Sequence, residues 1–179
     1  MSSPRKSEGF ETLMGKKEHL RQAPALVNIG IITVTTTRSA ETDKSGQWIK
    51  RLAGKEGHRV IDYRIVTDDR HAIVKAVTTA IDMGLHILIT NGGTGISPSD
   101  VTIEAIRPLF VKEMTAFSTL FSRLSFEEID SAAILSRATA GVIGNTVVFC
   151  IPGSLNACKL ACKELIFPEA KHIAAHLAN

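Results

Sequence analysis

A chain of 179 residues, 44% of them hydrophobic and 22% charged, has the material for one globular domain with a sizeable core. A formal net charge of +3, with no Lys/Arg cluster in a regular segment, argues against a nucleic-acid binder, and 5% aromatic content is too little for base stacking. No apolar run approaches the roughly 20 residues of a membrane span, so no membrane partner is expected.

In chain order, residues 1–25 are polar and mixed in charge, with no apolar run of the kind a secretory signal needs. They read as a flexible arm carrying a short helix around 11–20, ahead of one domain over 26–179. Residues 27–34 are β-branched and almost continuously apolar, as in a strand buried on both faces. Trp48, Ile49, Leu52 and Ala53 predict a helix over 45–56, stopped by Gly57. A second strand follows over 59–66. Asp68 or Asp69 then caps a helix running to Met83, with Ile73, Val74, Val77, Ala80 and Ile81 on its inner face and Gly84 at its end.

The third strand is 86–90, and Asn91-Gly92-Gly93-Thr94-Gly95-Ile96-Ser97-Pro98-Ser99-Asp100 follows it. Thr102 is a better cap than Asp100 for the next helix, which breaks at Pro108; this leaves Asp100 without a capping duty. Residues 110–124 and 126–135 are expected to be helical. Strands at 137–142 and 146–151 flank a Gly144-Asn145 turn, a helix covers 155–166, and 168–179 form a short helical tail. Strand–helix alternation of this kind predicts an α/β fold: a three-layer α-β-α arrangement around a mostly parallel sheet. Three cysteines, Cys150, Cys158 and Cys162, without metal-type partners, read as reduced interior thiols in a cytoplasmic protein.

Ligands of such sheets bind beyond the carboxyl ends of the strands. That rule gathers four loops. The first carries Thr35, Thr36, Thr37, Arg38, Asp43, Ser45 and Gly46, which serve equally as a plain helix cap or as an anion site. The second has Asp68 and Asp69; one is surplus to capping and suits Mg²⁺, which takes one or two carboxylates beside phosphates. The third is the glycine stretch Gly92, Gly93, Thr94 and Gly95, whose backbone can turn N–H groups toward a close anion, or simply make a tight turn. It has neither the lysine of a P-loop nor the GxGxxG of a dinucleotide site. The fourth is Pro152-Gly153-Ser154, a well-made turn or a second anion site. Ser136-Arg137 could add a guanidinium for a phosphate, or form a surface ion pair.

Several of these stretches together resemble the MoaB/MogA family of molybdenum cofactor biosynthesis, and the MoaB branch in particular. They are Thr90-Asn91-Gly92-Gly93-Thr94-Gly95 with Asp100-Val101-Thr102, Pro152-Gly153-Ser154 with Ala157, Asp43-Lys44-Ser45-Gly46, Val66-Thr67-Asp68-Asp69, the run 121–129, and Ser136-Arg137-Ala138. The resemblance covers about 27–166. It implies a molybdopterin-binding domain that uses Mg-ATP to adenylylate molybdopterin, releasing pyrophosphate before metal insertion. It places Asp68 and Asp100 as catalytic and Mg²⁺-binding residues. It assigns substrate to Asp43, Ser45, Gly46, Gly92, Gly93, Thr94, Gly95, Ser136, Arg137, Pro152, Gly153 and Ser154. It also implies self-association as a trimer or hexamer. Two positions depart from the common pattern: Ser99 where many relatives have Arg, and Ile103 where many have Pro. A non-catalytic pterin- or nucleotide-binding protein of the same pathway is the alternative.

Overall fold

The computed structural model describes residues 26–178; the arm expected over 1–25 lies outside them. The chain runs β1 (Asn28–Val34), α1 (Lys44–Lys55), β2 (Arg59–Val66), α2 (Arg70–Ile81), β3 (Ile87–Asn91) and α3 (Thr102–Ile106). It continues with β4 (Lys112–Glu113), α4 (Thr115–Ile129), β5 (Thr139–Ile143), β6 (Thr146–Ile151), α5 (Leu155–Leu160) and α6 (Ala170–Leu177). One six-stranded sheet has the order β2-β1-β3-β6-β5-β4. β2, β1, β3 and β6 are parallel, while β5 runs antiparallel to β6 and β4 antiparallel to β5. The predicted three-layer α/β architecture with a mostly parallel sheet is what forms.

Side-chain alternation along the central strands builds two cores. Ile29 and Ile31 of β1, Ile87 and Ile89 of β3, and Val147 and Phe149 of β6 face one layer, packed by Ile49 of α1 and by Phe117 and Phe121 of α4. Ile32 and Val34, Leu88, and Val148 and Cys150 face the other, packed by Ile73 and Val77 of α2 and by Ile103 and Ile106 of α3. The register Ile29↔Ile87↔Val147 and Ile31↔Ile89↔Phe149 keeps each set in line. A strand buried on both sides must be apolar at successive positions, which is why 27–34 and 86–90 carry no polar alternation. Gly57 and Gly84 both sit at φ +75 just beyond α1 and α2, where left-handed backbone ends a helix.

The expectation of helix over 110–124 is corrected at its start. Val111 N–H donates to Val142 O and Met114 N–H to Ala140 O, at 2.9 and 2.8 Å, so this stretch pairs with β5 as an edge strand. Two strand residues give no periodicity to read, and pairing with β5 overrides local propensity. Over 126–135 the helix ends at Ile129; Asp130 has φ +50 and a 3-10 stretch runs over Asp130–Leu135. Among the described residues no helix is long and apolar enough to cross a membrane.

Candidate active site at the strand ends

β1 lies between β2 and β3, so the chain leaves β1 toward one side of the sheet and resumes on the other. The loops after β1 and β3 diverge at this point and leave a crevice beyond the strand ends. A cavity of about 360 Å³ opens there. Its walls come from Thr35, Thr37 and Arg38 after β1, Gly92 to Gly95 and Asp100 after β3, Ser136 and Arg137 before β5, and Pro152, Gly153 and Ser154 after β6.

The glycine turn owes its shape to missing side chains. Gly92 has φ +106, and a Cβ on it would lie 2.2 Å from Val34 O. Gly93 has φ +63, with Thr102 Oγ1 and Asp68 Oδ1 at 2.4 and 3.1 Å from where its Cβ would stand. L-residues rarely adopt such φ values, and here the space is also occupied, by backbone at Gly92 and by side chains at Gly93. Thr94, only 2% exposed, keeps a buried hydroxyl with no hydrogen-bond partner among the described residues beside the cavity.

Thr102 does not cap α3 with its side chain as expected. Its hydroxyl donates to Gly92 O at 2.9 Å and its N–H to Gly93 O at 2.9 Å, so it pins the glycine turn from behind. The N-cap position is Val101, with no side-chain bond. Asp100 has a duty of its own: its Oδ2 accepts from Ser97 N–H at 2.9 Å, folding the carboxylate back over Gly95. Buried donors take the nearest acceptor whatever their sequence position suggests.

Asp69 caps α2 by accepting from Ala72 N–H at 2.8 Å, which leaves Asp68 as the surplus carboxylate. Asp68 does not line the cavity; it stands behind Gly93. Burial pushes its carboxyl above the usual range, and the negative charge of Asp100 adds to that, against N–H groups of Asp68 and Thr36 that lower it. Two carboxylates thus meet at one turn.

Asp43, Ser45 and Gly46, expected to contact substrate, are buried and do not line the cavity. They stand behind its lining residues instead. Asp43, 0% exposed, caps α1 by accepting from Gly46 N–H at 3.0 Å, and its Oδ2 also accepts from Tyr63 OH at 2.8 Å. Ser45 Oγ donates to Gly153 O at 2.9 Å. The Thr33 hydroxyl lies 2.5 Å from Asp43 Oδ2 and 2.9 Å from Asn91 Oδ1, and one proton cannot serve both. Turning the Asn91 amide over lets its Nδ2, otherwise without a partner, donate to Thr33, which donates to Asp43. This buried chain ties the α1 cap to the residue that opens the glycine turn.

Positive charge comes from two sides. Arg137 Nη1 donates to Gly95 O at 3.0 Å and Nη2 to Glu104, so this arginine forms the ion pair that was one of its two readings, and it also lines the cavity. Arg38, grouped in the first loop with the other candidates for a helix cap or an anion site, lines the cavity and donates from Nη1 to Gly153 O at 3.1 Å. Ser99 is exposed on the loop, and it is Arg38 and Arg137 that bring cations to this cavity. Nothing in the local sequence separates Arg38 from an ordinary loop arginine; only the approach of the β6 loop does. Ser154 caps α5, accepting from Ala157 N–H at 3.2 Å. Cys150 and Cys158 are buried, with thiols pushed up to about 12 by burial, which keeps them protonated and inert.

No group of three or more His, Cys, Asp or Glu side chains among the described residues could hold a metal ion. Asp68 and Asp100 nevertheless fit Mg²⁺, which takes hard oxygen ligands and needs few from protein when phosphates supply the rest. Their mutual repulsion is also what a divalent cation would relieve.

Residues 30–172 match the family described as a probable molybdopterin binding domain. The chain is 46% identical over 166 residues to molybdenum cofactor biosynthesis protein B of Bacillus subtilis (strain 168), covering 92% of this chain and 98% of that one. That is more residues than lie between Leu26 and Ala178, so the similarity runs into the arm. A crystal structure of a molybdenum cofactor biosynthesis protein B superposes with a TM-score of 0.84 at 46% identity, over 87% of this chain and 98% of that one. The tungsten cofactor synthesizing protein MoaB from Pyrococcus furiosus superposes with a TM-score of 0.79 at 39% identity, over 88% and 100%.

Proposed function

The chain belongs to the molybdenum cofactor biosynthesis protein B family, with the molybdopterin-binding domain, and on that premise we propose that it adenylylates molybdopterin at the expense of ATP. A terminal phosphate oxygen of molybdopterin attacks the α-phosphorus of ATP. One P–O bond forms, the bond to the bridging oxygen breaks, and pyrophosphate leaves. The attacking phosphate is already ionised, so no general base is required. The observation that carries this reading is the pair Asp68 and Asp100 at a glycine turn, beside a cavity flanked by Arg38 and Arg137.

The work left to the protein is positioning and charge stabilisation. Gly92 and Gly93 supply the positive φ that shapes the turn along the cavity, and Gly95 leaves room beside it for the Asp100 carboxylate. Arg38 and Arg137 are anchored through Gly153 O and Gly95 O, so their remaining N–H groups can meet phosphate oxygens without reorganising. Asp68 and Asp100 would hold Mg²⁺, which when bound neutralises charge on the phosphates of ATP. Ser136, Pro152, Gly153 and Ser154 complete the walls. Three reduced interior thiols support a cytoplasmic setting. Exposed Phe126, Ile129, Ile134 and Leu135 support self-association, as a trimer or a hexamer.

A second reading, binding of the pterin or nucleotide without turnover, draws on Asp68 standing outside the cavity lining. Pyrophosphate release from ATP in the presence of molybdopterin and Mg²⁺ separates the two. The expected result is release that falls about a hundredfold or more in D68N and in D100N, as for loss of a group that stabilises transition-state charge. Undiminished release in both variants overturns the assigned roles, and no release by the wild-type chain favours binding alone.

A further inference from the structure

A second opening, of about 340 Å³, adjoins the active-site cavity between the start of α2 and α3. Arg70, Glu104, Arg107 and Arg137 line it, together with Ile103 and Pro108. The two openings share Arg137 and no other residue. Each guanidinium is anchored. Arg70, the first residue of α2, donates from Nη2 to Glu104 O at 2.7 Å. Arg107 donates to Glu113 Oε2 through Nε and Nη2, at 3.2 and 3.0 Å. Arg137 is held by Gly95 O and Glu104. Three guanidinium charges thus face two carboxylates, and the pocket keeps an excess of positive charge.

Glu104 leaves that excess exposed. Arg137 takes one of its oxygens, and the other, Oε2, is buried with no hydrogen-bond partner among the described residues. Burial favours its neutral form, but the bonds it accepts and the charges of Arg137 and Arg70 outweigh burial and hold the carboxyl below its usual range. What the side chains of this pocket offer to solvent is then N–H groups, since a guanidinium donates and never accepts. A lining that only donates suits a ligand that only accepts, and fork-shaped donors suit phosphate oxygens.

We propose that this pocket takes the β- and γ-phosphates of ATP and holds them as pyrophosphate when the bond to the α-phosphorus breaks. The inference rests on the adenylylation reading and assigns Arg70 and Arg107 to the leaving group. Two observations favour that phosphate over the one on the pterin. In-line displacement sets the attacking and leaving oxygens on opposite sides of the reacting phosphorus. The cavity with the glycine turn and Ser154 reaches Arg137 from one flank, and the arginine pocket continues beyond it. Arg70 also stands two residues after Asp68, so the pocket begins beside the carboxylates that fit Mg²⁺.

Calorimetry of Mg-pyrophosphate on the full chain tests this without turnover. R70Q/R107Q should bind pyrophosphate about tenfold or more weaker than wild type, as for loss of charge-assisted donors, and should bind AMP unchanged. In turnover, its KM for ATP should rise by a similar factor while KM for molybdopterin stays. R70K/R107K, which keeps the charge without the fork, should recover part of the affinity. Unchanged pyrophosphate affinity in R70Q/R107Q overturns the proposal. So does an equal loss for AMP, which would mark a general positive field and not a seat for the leaving group. Both residues are exposed, so the fold should hold; should the double variant not fold, R70Q and R107Q are titrated singly, and full affinity in both overturns it. A wild-type chain that binds pyrophosphate through these arginines yet releases none from ATP would remove the adenylylation reading and keep the pocket.

Discussion

Asp68 is the residue whose environment most needs a function to explain it. Burial and the Asp100 charge hold its carboxyl above the usual range, so ionising it in the folded chain is costly. A group whose folded pKa is raised contributes stability that is complete below its unfolded pKa and lost as pH rises through the folded one. Without metal, D68N should therefore gain thermal stability over wild type at pH 7.5, and the gain should vanish toward pH 4; matched melts at the two pH values check this. Replacing Asp100 by Asn should move the Asp68 carboxyl down toward its ordinary value, read by carboxyl NMR titration. Gly92 is the other decisive residue. G92A must adopt a positive φ and meet Val34 O, at a cost of about 2 kcal/mol or more, visible in urea denaturation.

Among the elements, the start of α1 carries more than a surface cap would. Asp43 accepts from Gly46 N–H, Tyr63 OH and Thr33 Oγ1 while fully buried. Asp43→Ala would lose the cap and strand these donors, and should cost about 3 kcal/mol in urea denaturation, with Asn recovering part of it. The helices around it were largely legible. α1, α2 and α3 begin and end within a residue or two of the expected limits, because their apolar spacing and glycine or proline stops act locally. β4 was not legible, because its existence depends on β5 alone. Thr102 departs from the expected cap for a related reason: local sequence offers its hydroxyl a helix-start N–H, whereas the Gly92 carbonyl folded against it is the better partner.

For the molecule as a whole, the exposed apolar strip Phe126, Ile129, Ile134 and Leu135 borders the cavity, since Leu135 also lines it. If copies associate through this strip, I134E with L135E should reduce the sedimenting mass to that of one chain of 19.3 kDa, leaving the unfolding transition cooperative. An unchanged mass places association elsewhere on the surface.

Residue order alone determined the α/β class, the two-sided burial of the central strands, the glycine turn and the surplus aspartate of the Asp68-Asp69 pair. These follow from period, propensity and capping chemistry, which act over a few positions. Only the tertiary structure decided which polar residues face the cavity. It set Arg38 against Gly153, withdrew Asp43 into the interior, and brought Asp68 within reach of the charge on Asp100. Those contacts join loops from different strands, and their geometry is fixed by sheet order and register, which no local pattern encodes.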